Sequence, residues 1–149
     1  LVLKKYCNIG VAIDTPKGLM VGVVKGADGK SIEEIAADVD HLAAKARGKG
    51  LGMDDISGGC FTISSLGRNG GTGFTPIINA PEVAILGISR IQERPVRDGE
   101  GLMWKQMLPL SLSYDHRVIN GVEAASFVKH LGILLGEEGR EFDSQEDAA

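Results

Sequence analysis

The chain has 149 residues, of which 43% are hydrophobic and 24% charged, and a formal net charge of −4. These are the size and balance of one globular domain. The acidic balance, with no basic stripe, excludes the usual footprint of a nucleic-acid binder. No apolar run reaches the roughly 20 residues of a membrane-spanning helix. Cys7 and Cys60 lie in strand-like surroundings without metal-type spacing, which predicts buried thiols in a reducing compartment and no metal site.

In chain order, the β-rich runs Asn8–Asp14 and Leu19–Val24 flank Thr15-Pro16-Lys17-Gly18, whose proline and glycine predict a hairpin. Ser31-Ile-Glu-Glu34 has the form of a capping box. The helix behind it carries Ile32, Ile35, Ala36, Val39, Leu42, Ala43 and Ala46 on one stripe, with Glu33, Asp40 and Lys45 away from it. Gly48 and Gly50 stop this helix. His41 beside the stripe reads as a partly exposed surface histidine. Residues 51–59 read as a connector.

Cys60–Leu66 reads as a strand ending at Gly67, and a glycine-rich turn, Arg68–Pro76, follows. That turn lacks the spacing and lysine of a phosphate loop, so a close approach of two backbones is favoured. Val83–Ser89 is a buried-type strand. Arg94–Gly99 reads as a hairpin turn, with Asp98-Gly99 its strongest cue. Beyond Gly136 the chain is acidic with one large apolar residue, which predicts a disordered tail over 137–149.

The stretch richest in chemical groups is Leu108–Ala125. Leu108, Leu110 and Leu112 alternate with Pro109, Ser111 and Ser113, the pattern of a half-buried strand. From Gly121 the period lengthens, and Val122, Ala125, Val128, Leu131, Leu134 and Leu135 mark a helix face. Asp115-His-Arg-Val-Ile-Asn-Gly121 joins the two and places one imidazole on a short connection. Taken singly, each polar residue has an ordinary reading. A histidine at a strand end more often bonds a polar neighbour, Asn120 with Glu123 fits an N-cap, and Ser64 could bond within its strand.

Asp-His-Arg-Val-Ile-Asn-Gly after Leu-Ser-Leu-Ser-Tyr resembles the active-site signature of dihydrolipoamide acyltransferases, the core subunits of 2-oxoacid dehydrogenase complexes. Thr75-Pro-Ile-Ile-Asn-Ala-Pro-Glu82 matches a second family stretch letter for letter. The resemblance runs from about Leu1 to Gly136 and implies an α/β fold of the chloramphenicol-acetyltransferase type: a two-layer sandwich of mixed sheet with helices on one side. It aligns the chain with the later part of the family's catalytic domain. Residues 1–136 are therefore expected to be a partial domain, incomplete at the N-terminus. Gly22 stands where the family usually has proline, which is expected to loosen that strand.

The resemblance implies acetyl transfer between dihydrolipoamide and coenzyme A. His116 matches the general base, Ser64 the serine that bonds the oxyanion, and Asn120 a position that holds the histidine's surroundings. A thiol titrates near 8.5 and imidazole near 6.5, so such a base suits thiol activation. Asp115 and Arg117 are expected to order the loop as an ion pair. Asn at 120, together with Phe74–Gly87, favours acetyl over succinyl or branched-chain groups. A non-catalytic scaffold subunit and an inactive fragment are the rival readings. The resemblance further implies homotrimers that build a larger core, with the site shared between subunits. Lipoamide would be carried on a separate domain, and 2-oxoacid dehydrogenase and dihydrolipoamide dehydrogenase would be the partners. The compartment implied is the bacterial cytoplasm, or the mitochondrial matrix in a eukaryote.

Overall fold

The computed structural model describes residues 1–67, 70–99 and 101–136. Arg68-Asn69 and the acidic stretch 137–149, expected to be disordered, lie outside the described residues. The chain divides into two compact units, Leu1–Ser113 and Tyr114–Ala149.

In the first unit a mixed sheet runs in the order β2-β1-β3-β4-β7. The strands are β1 Ile9–Thr15, β2 Gly18–Val24, β3 Phe61–Ser65, β4 Ala84–Ile88 and β7 Leu110–Tyr114, the last ending at the unit boundary. β1 pairs antiparallel with β2, and in parallel with β3, which in turn pairs in parallel with β4. The expected first hairpin is present, with Thr15 opposite Gly18 across a Pro16-Lys17 loop. Gly18 holds φ at 111°, a conformation that glycine adopts without steric cost. Thr15 Oγ1 donates to the Gly18 carbonyl at 2.7 Å and ties the turn.

The helix α1, Ile32–Arg47, begins at the expected capping box. Ser31 Oγ accepts from the Glu34 N–H, and Glu34 Oε2 accepts from the Ser31 N–H. Lys30 and Asp38 form an ion pair beside it. α1 packs on β1 and β2 through its later turns. Leu42 and Ala46 are buried with Ile13 and Val24, whereas Ile32, placed on the stripe from sequence, is exposed. Truncating Leu42 to Ala would cost on the order of 2–5 kcal/mol. A Cβ on Gly22 would lie 3.3 Å from Leu42 Cβ and 3.2 Å from Ile13 Cδ1. Glycine here lets helix and strand approach, and β2 is paired along its whole length, not loosened.

The connector contains one helical turn, α2 Met53–Ile56. Asp55 Oδ2 accepts from the Gly52 N–H at 2.7 Å, and the same carboxylate pairs with Lys45 of α1 at 2.6 Å. That pair and the backbone bond hold the Asp55 pKa below the usual range. His41 is exposed, as expected. Cys7 and Cys60 are free thiols, half-buried and flanking strands, less enclosed than expected.

The largest departure from the sequence reading is the second hairpin. Arg94–Asp98, read as turn, belongs to the strand β5 Gln92–Asp98, which pairs with β6 Gly101–Met107 as a separate two-stranded sheet. The turn itself falls at Gly99, whose φ is 58°. Pro95, opposite Trp104, lacks an N–H, and a two-stranded ribbon leaves an unpaired edge where that loss is tolerated.

The second unit holds the connection from Tyr114 and the helix α3, Gly121–Leu134. Its boundary matches expectation but its face does not. Ala124 is buried and Val128 and Leu131 half-buried, while Val122 and Ala125 are exposed. This helix is apolar on most sides, so periodicity alone selects its buried face poorly. No helix among the described residues is long and apolar enough to cross a membrane.

Candidate active site

The connection Asp115–Asn120 is tied at both ends by side chains of its own sequence. At the front, the Asp115 carbonyl accepts from the N–H groups of Val118 and Ile119 at 2.9 and 3.0 Å, closing a turn around His116 and Arg117. The Asp115 carboxylate accepts from the Arg117 N–H at 3.0 Å and from its guanidinium, Nε to Oδ1 at 2.9 Å and Nη2 to Oδ2 at 2.6 Å. These bonds from Arg117 hold the Asp115 pKa down at about 2. At the back, Asn120 caps α3. Its Oδ1 accepts from the Glu123 N–H at 2.9 Å, and its own N–H donates to Glu123 Oε2 at 3.0 Å. The ordinary N-cap reading of Asn120 is thus realised.

His116 stands between these two anchors with an exposed imidazole. Its ring lies beside that of Tyr114, with centroids 5.6 Å apart and planes at 42°. Tyr114 also reaches the start of α3, its hydroxyl 3.7 Å from where a Cβ on Gly121 would sit. Sequence reading did not single out Tyr114. The signal available was its position two residues before the histidine, at the end of an alternating strand. His116 and Asn120 are therefore brought together on one braced turn.

Ser64 lies in the first unit, near the end of β3 and half-buried. Its direction follows from strand alternation and register. Val11 and Ile13 of β1 point toward α1, so Gly10 points away. Gly10 pairs with Thr62, and Thr62 and Ser64 share a face, which places the Ser64 hydroxyl on the side of the sheet opposite α1. Directly across on β4 are Ile85, opposite Thr62, and Gly87, opposite Ser64. Residues 74–82 fold over this face. The Phe74 ring and the Pro76 ring sit on Gly87, and Glu82 Oε2 accepts from Thr62 Oγ1 at 2.6 Å. In the glycine-rich turn itself, a Cβ on Gly70 would collide with the Leu66 side chain, whereas Gly71 and Gly73 have open space, so the close approach there is to a side chain and not to a second backbone. Among the described residues no group of three or more His, Cys, Asp or Glu is placed to hold a metal ion.

Residues 1–138 match the family model of the 2-oxoacid dehydrogenases acyltransferase catalytic domain, and the chain belongs to that family. It is 59% identical over 137 residues to the dihydrolipoyllysine-residue acetyltransferase component of the pyruvate dehydrogenase complex of Azotobacter vinelandii. That alignment covers 92% of this chain and 22% of that protein. The Pseudomonas aeruginosa counterpart is also 59% identical, over 92% of this chain and 25% of that protein.

Among solved structures, one comes from a crystallographic and enzymatic investigation of a serine, a histidine and an asparagine in the mechanism of Azotobacter vinelandii dihydrolipoamide acetyltransferase. It superposes with a TM-score of 0.88 at 58% identity, covering 91% of this chain and 56% of that one. The cubic core of the pyruvate dehydrogenase multienzyme complex gives 0.87 at 60% identity, covering 90% and 55%. A truncated catalytic core from Thermoplasma acidophilum gives 0.81 at 48%, covering 92% and 60%. The fold expected from sequence is therefore the fold of these acyltransferase cores. The chain spans about a quarter of the length of these curated relatives and just over half of these solved chains.

Proposed function

We propose that this chain supplies the catalytic residues of an acetyltransferase that moves an acetyl group between dihydrolipoamide and coenzyme A in a pyruvate dehydrogenase complex. One observation carries the reading. The serine, histidine and asparagine studied in the Azotobacter vinelandii enzyme are separated by 52 and 4 residues, and Ser64, His116 and Asn120 stand at the same separations.

The local geometry suits the roles. An exposed imidazole on a turn fixed at both ends is accessible to a thiol and costs little reorganisation on binding. His116 takes the proton of the coenzyme A thiol, and the thiolate forms a C–S bond to the acetyl carbonyl of S-acetyldihydrolipoamide. The carbonyl oxygen becomes an oxyanion, toward which the Ser64 hydroxyl donates. As the oxyanion collapses, the C–S bond to lipoamide breaks and its sulfur recovers the proton from His116. Asn120 acts through the turn, because its side-chain oxygen is engaged by the Glu123 N–H.

The likeness to a cubic core supports self-assembly into a larger core. In this reading the core is built from trimers, and His116 of one subunit serves Ser64 of another. In this reading lipoamide arrives on a separate domain, and the 2-oxoacid dehydrogenase and dihydrolipoamide dehydrogenase subunits are the partners. The bacterial relatives support a cytoplasmic location.

The test is acetyl transfer from acetyl-CoA to free dihydrolipoamide. His116→Ala is expected to lower kcat by about 10²–10⁴, and Ser64→Ala by about 10²–10³. Equal rates in wild type and His116→Ala would overturn the assignment.

A further inference from the structure

The bonds that fix the turn after β7 stop short of the imidazole they surround. The Asp115 carbonyl holds the N–H groups of Val118 and Ile119, and the Asp115 carboxylate is taken up by Arg117. These contacts set the backbone at His116 and leave its side-chain torsions unset. Among the described residues, no hydrogen bond reaches the exposed imidazole. A side chain so placed spreads over several staggered wells, whereas a base that must meet a thiol needs one of them.

What meets the imidazole is a ring. Tyr114 lies beside it, with centroids 5.6 Å apart and planes at 42°. Aromatic pairs favour tilted or offset arrangements at about 4.5–7 Å, so the contact is attractive and directional. Tyr114 is itself held at two points. Its backbone is the last residue of β7, and its hydroxyl lies 3.7 Å from where a Cβ on Gly121, the first residue of α3, would sit. That helix start is fixed by the reciprocal cap of Asn120 and Glu123. The half-buried phenol therefore runs from strand end to helix start, with the imidazole beside it.

We propose that Tyr114 is a positioning residue for the transfer reaction, holding the His116 imidazole in one orientation through contact of the two rings. This rests on the reading above, in which His116 is the general base. The same contact gives the cap at Asn120 a route to the imidazole, through Gly121 and the phenol. The ring carries the role and the hydroxyl only steadies it, so phenylalanine is the conservative replacement and leucine the disruptive one.

The experiment pairs kinetics with NMR on the intact chain, in wild type, Tyr114→Phe and Tyr114→Leu. In acetyl transfer from acetyl-CoA to dihydrolipoamide, Tyr114→Leu is expected to lower kcat by about 10-fold and to leave KM for acetyl-CoA within about 2-fold, because the base is misplaced while the binding surface is kept. Tyr114→Phe is expected to restore most of the rate. The chain has three histidines, and His116→Ala identifies the ring-proton signals of His116. Those signals are expected to be displaced by the neighbouring ring current in wild type and Tyr114→Phe, and to return to the values of a free histidine in Tyr114→Leu. An unimpaired Tyr114→Leu in an active protein overturns the role of Tyr114 alone, as does a fall in kcat that leaves the His116 signals displaced. If Tyr114→Leu fails to fold, displaced signals with an active Tyr114→Phe carry the proposal, and undisplaced signals in the folded wild type overturn it. A wild type that transfers no acetyl group overturns the acetyltransfer reading, and this role with it.

Discussion

Thr62, on the central strand β3 and 0% exposed, donates its hydroxyl to Glu82 Oε2 at 2.6 Å across 20 residues of chain. This bond pins the far end of the segment whose near end sets Phe74 on Gly87. It also gives a half-buried carboxylate its donor. Thr62→Val keeps the shape and removes the donor, which is expected to cost about 1–3 kcal/mol. Thr62→Ser should retain most of the stability. Urea unfolding of the three proteins reads the difference, and equal midpoints for Val and wild type would show the bond to be dispensable.

Asn120 and Glu123 cap α3 reciprocally, so the helix start depends on an oxygen at position 120. Asn120→Ala is expected to destabilise by about 1 kcal/mol, whereas Asn120→Asp keeps the cap and adds charge at the favourable helix end. Thermal unfolding should therefore rank Asp near wild type and Ala below both. Equal losses in the two variants would remove the cap as the explanation.

The Asp115 pKa is held down, at about 2 from 3.8, first by the side-chain hydrogen bond from Arg117 and then by its backbone N–H. The sign follows from a folded-state value below the unfolded one. The pair's contribution is fully present above about pH 4 and is lost as pH falls through about 2. Because Arg117 is exposed, the effect is local ordering of the turn more than global stability. A carboxyl-carbon NMR titration should find Asp115 titrating near the low value in wild type and moving up in Arg117→Ala. Titration near 3.8 in both would mean that the pair does not persist in solution.

Gly22 is the point where α1 comes down on β2. Gly22→Val is expected to drive Leu42 and Ile13 out of position at a cost of about 1–3 kcal/mol. Leu42→Ala in the same background should relieve part of that cost, a coupling that a double-mutant cycle would detect. Strict additivity would place the strain elsewhere.

What could be read from sequence was mostly local. Ser31 and Glu34, three residues apart, mark the start of α1, and Asn120 and Glu123 do the same for α3, because capping is decided within one turn of chain. The strands β1, β3, β4 and β7 follow from alternation and apolar runs. Arg94–Asp98 is strand and not turn because Pro95 sits on an edge that tolerates it, a fact only the pairing partner reveals. The buried face of α3 was hidden by apolar residues on several sides. At the site, His116 and Asn120 share one turn and were visible together. The contact of Phe74 with Gly87, and that of Thr62 with Glu82, depends on how a 20-residue stretch folds back over the sheet, which no local pattern encodes.

Trp104 is the sole tryptophan of the chain, and it stands 71% exposed on β6. The indole thus makes the hairpin its own optical reporter. In the free chain its fluorescence should peak at the long wavelengths of a water-exposed indole and be quenched readily by iodide. Any surface that covers this face would shift the emission to the blue and protect it. Assembly of the protein can therefore be followed at the hairpin without a label, by exciting the indole at the red edge of its absorption, where Tyr6 and Tyr114 do not absorb.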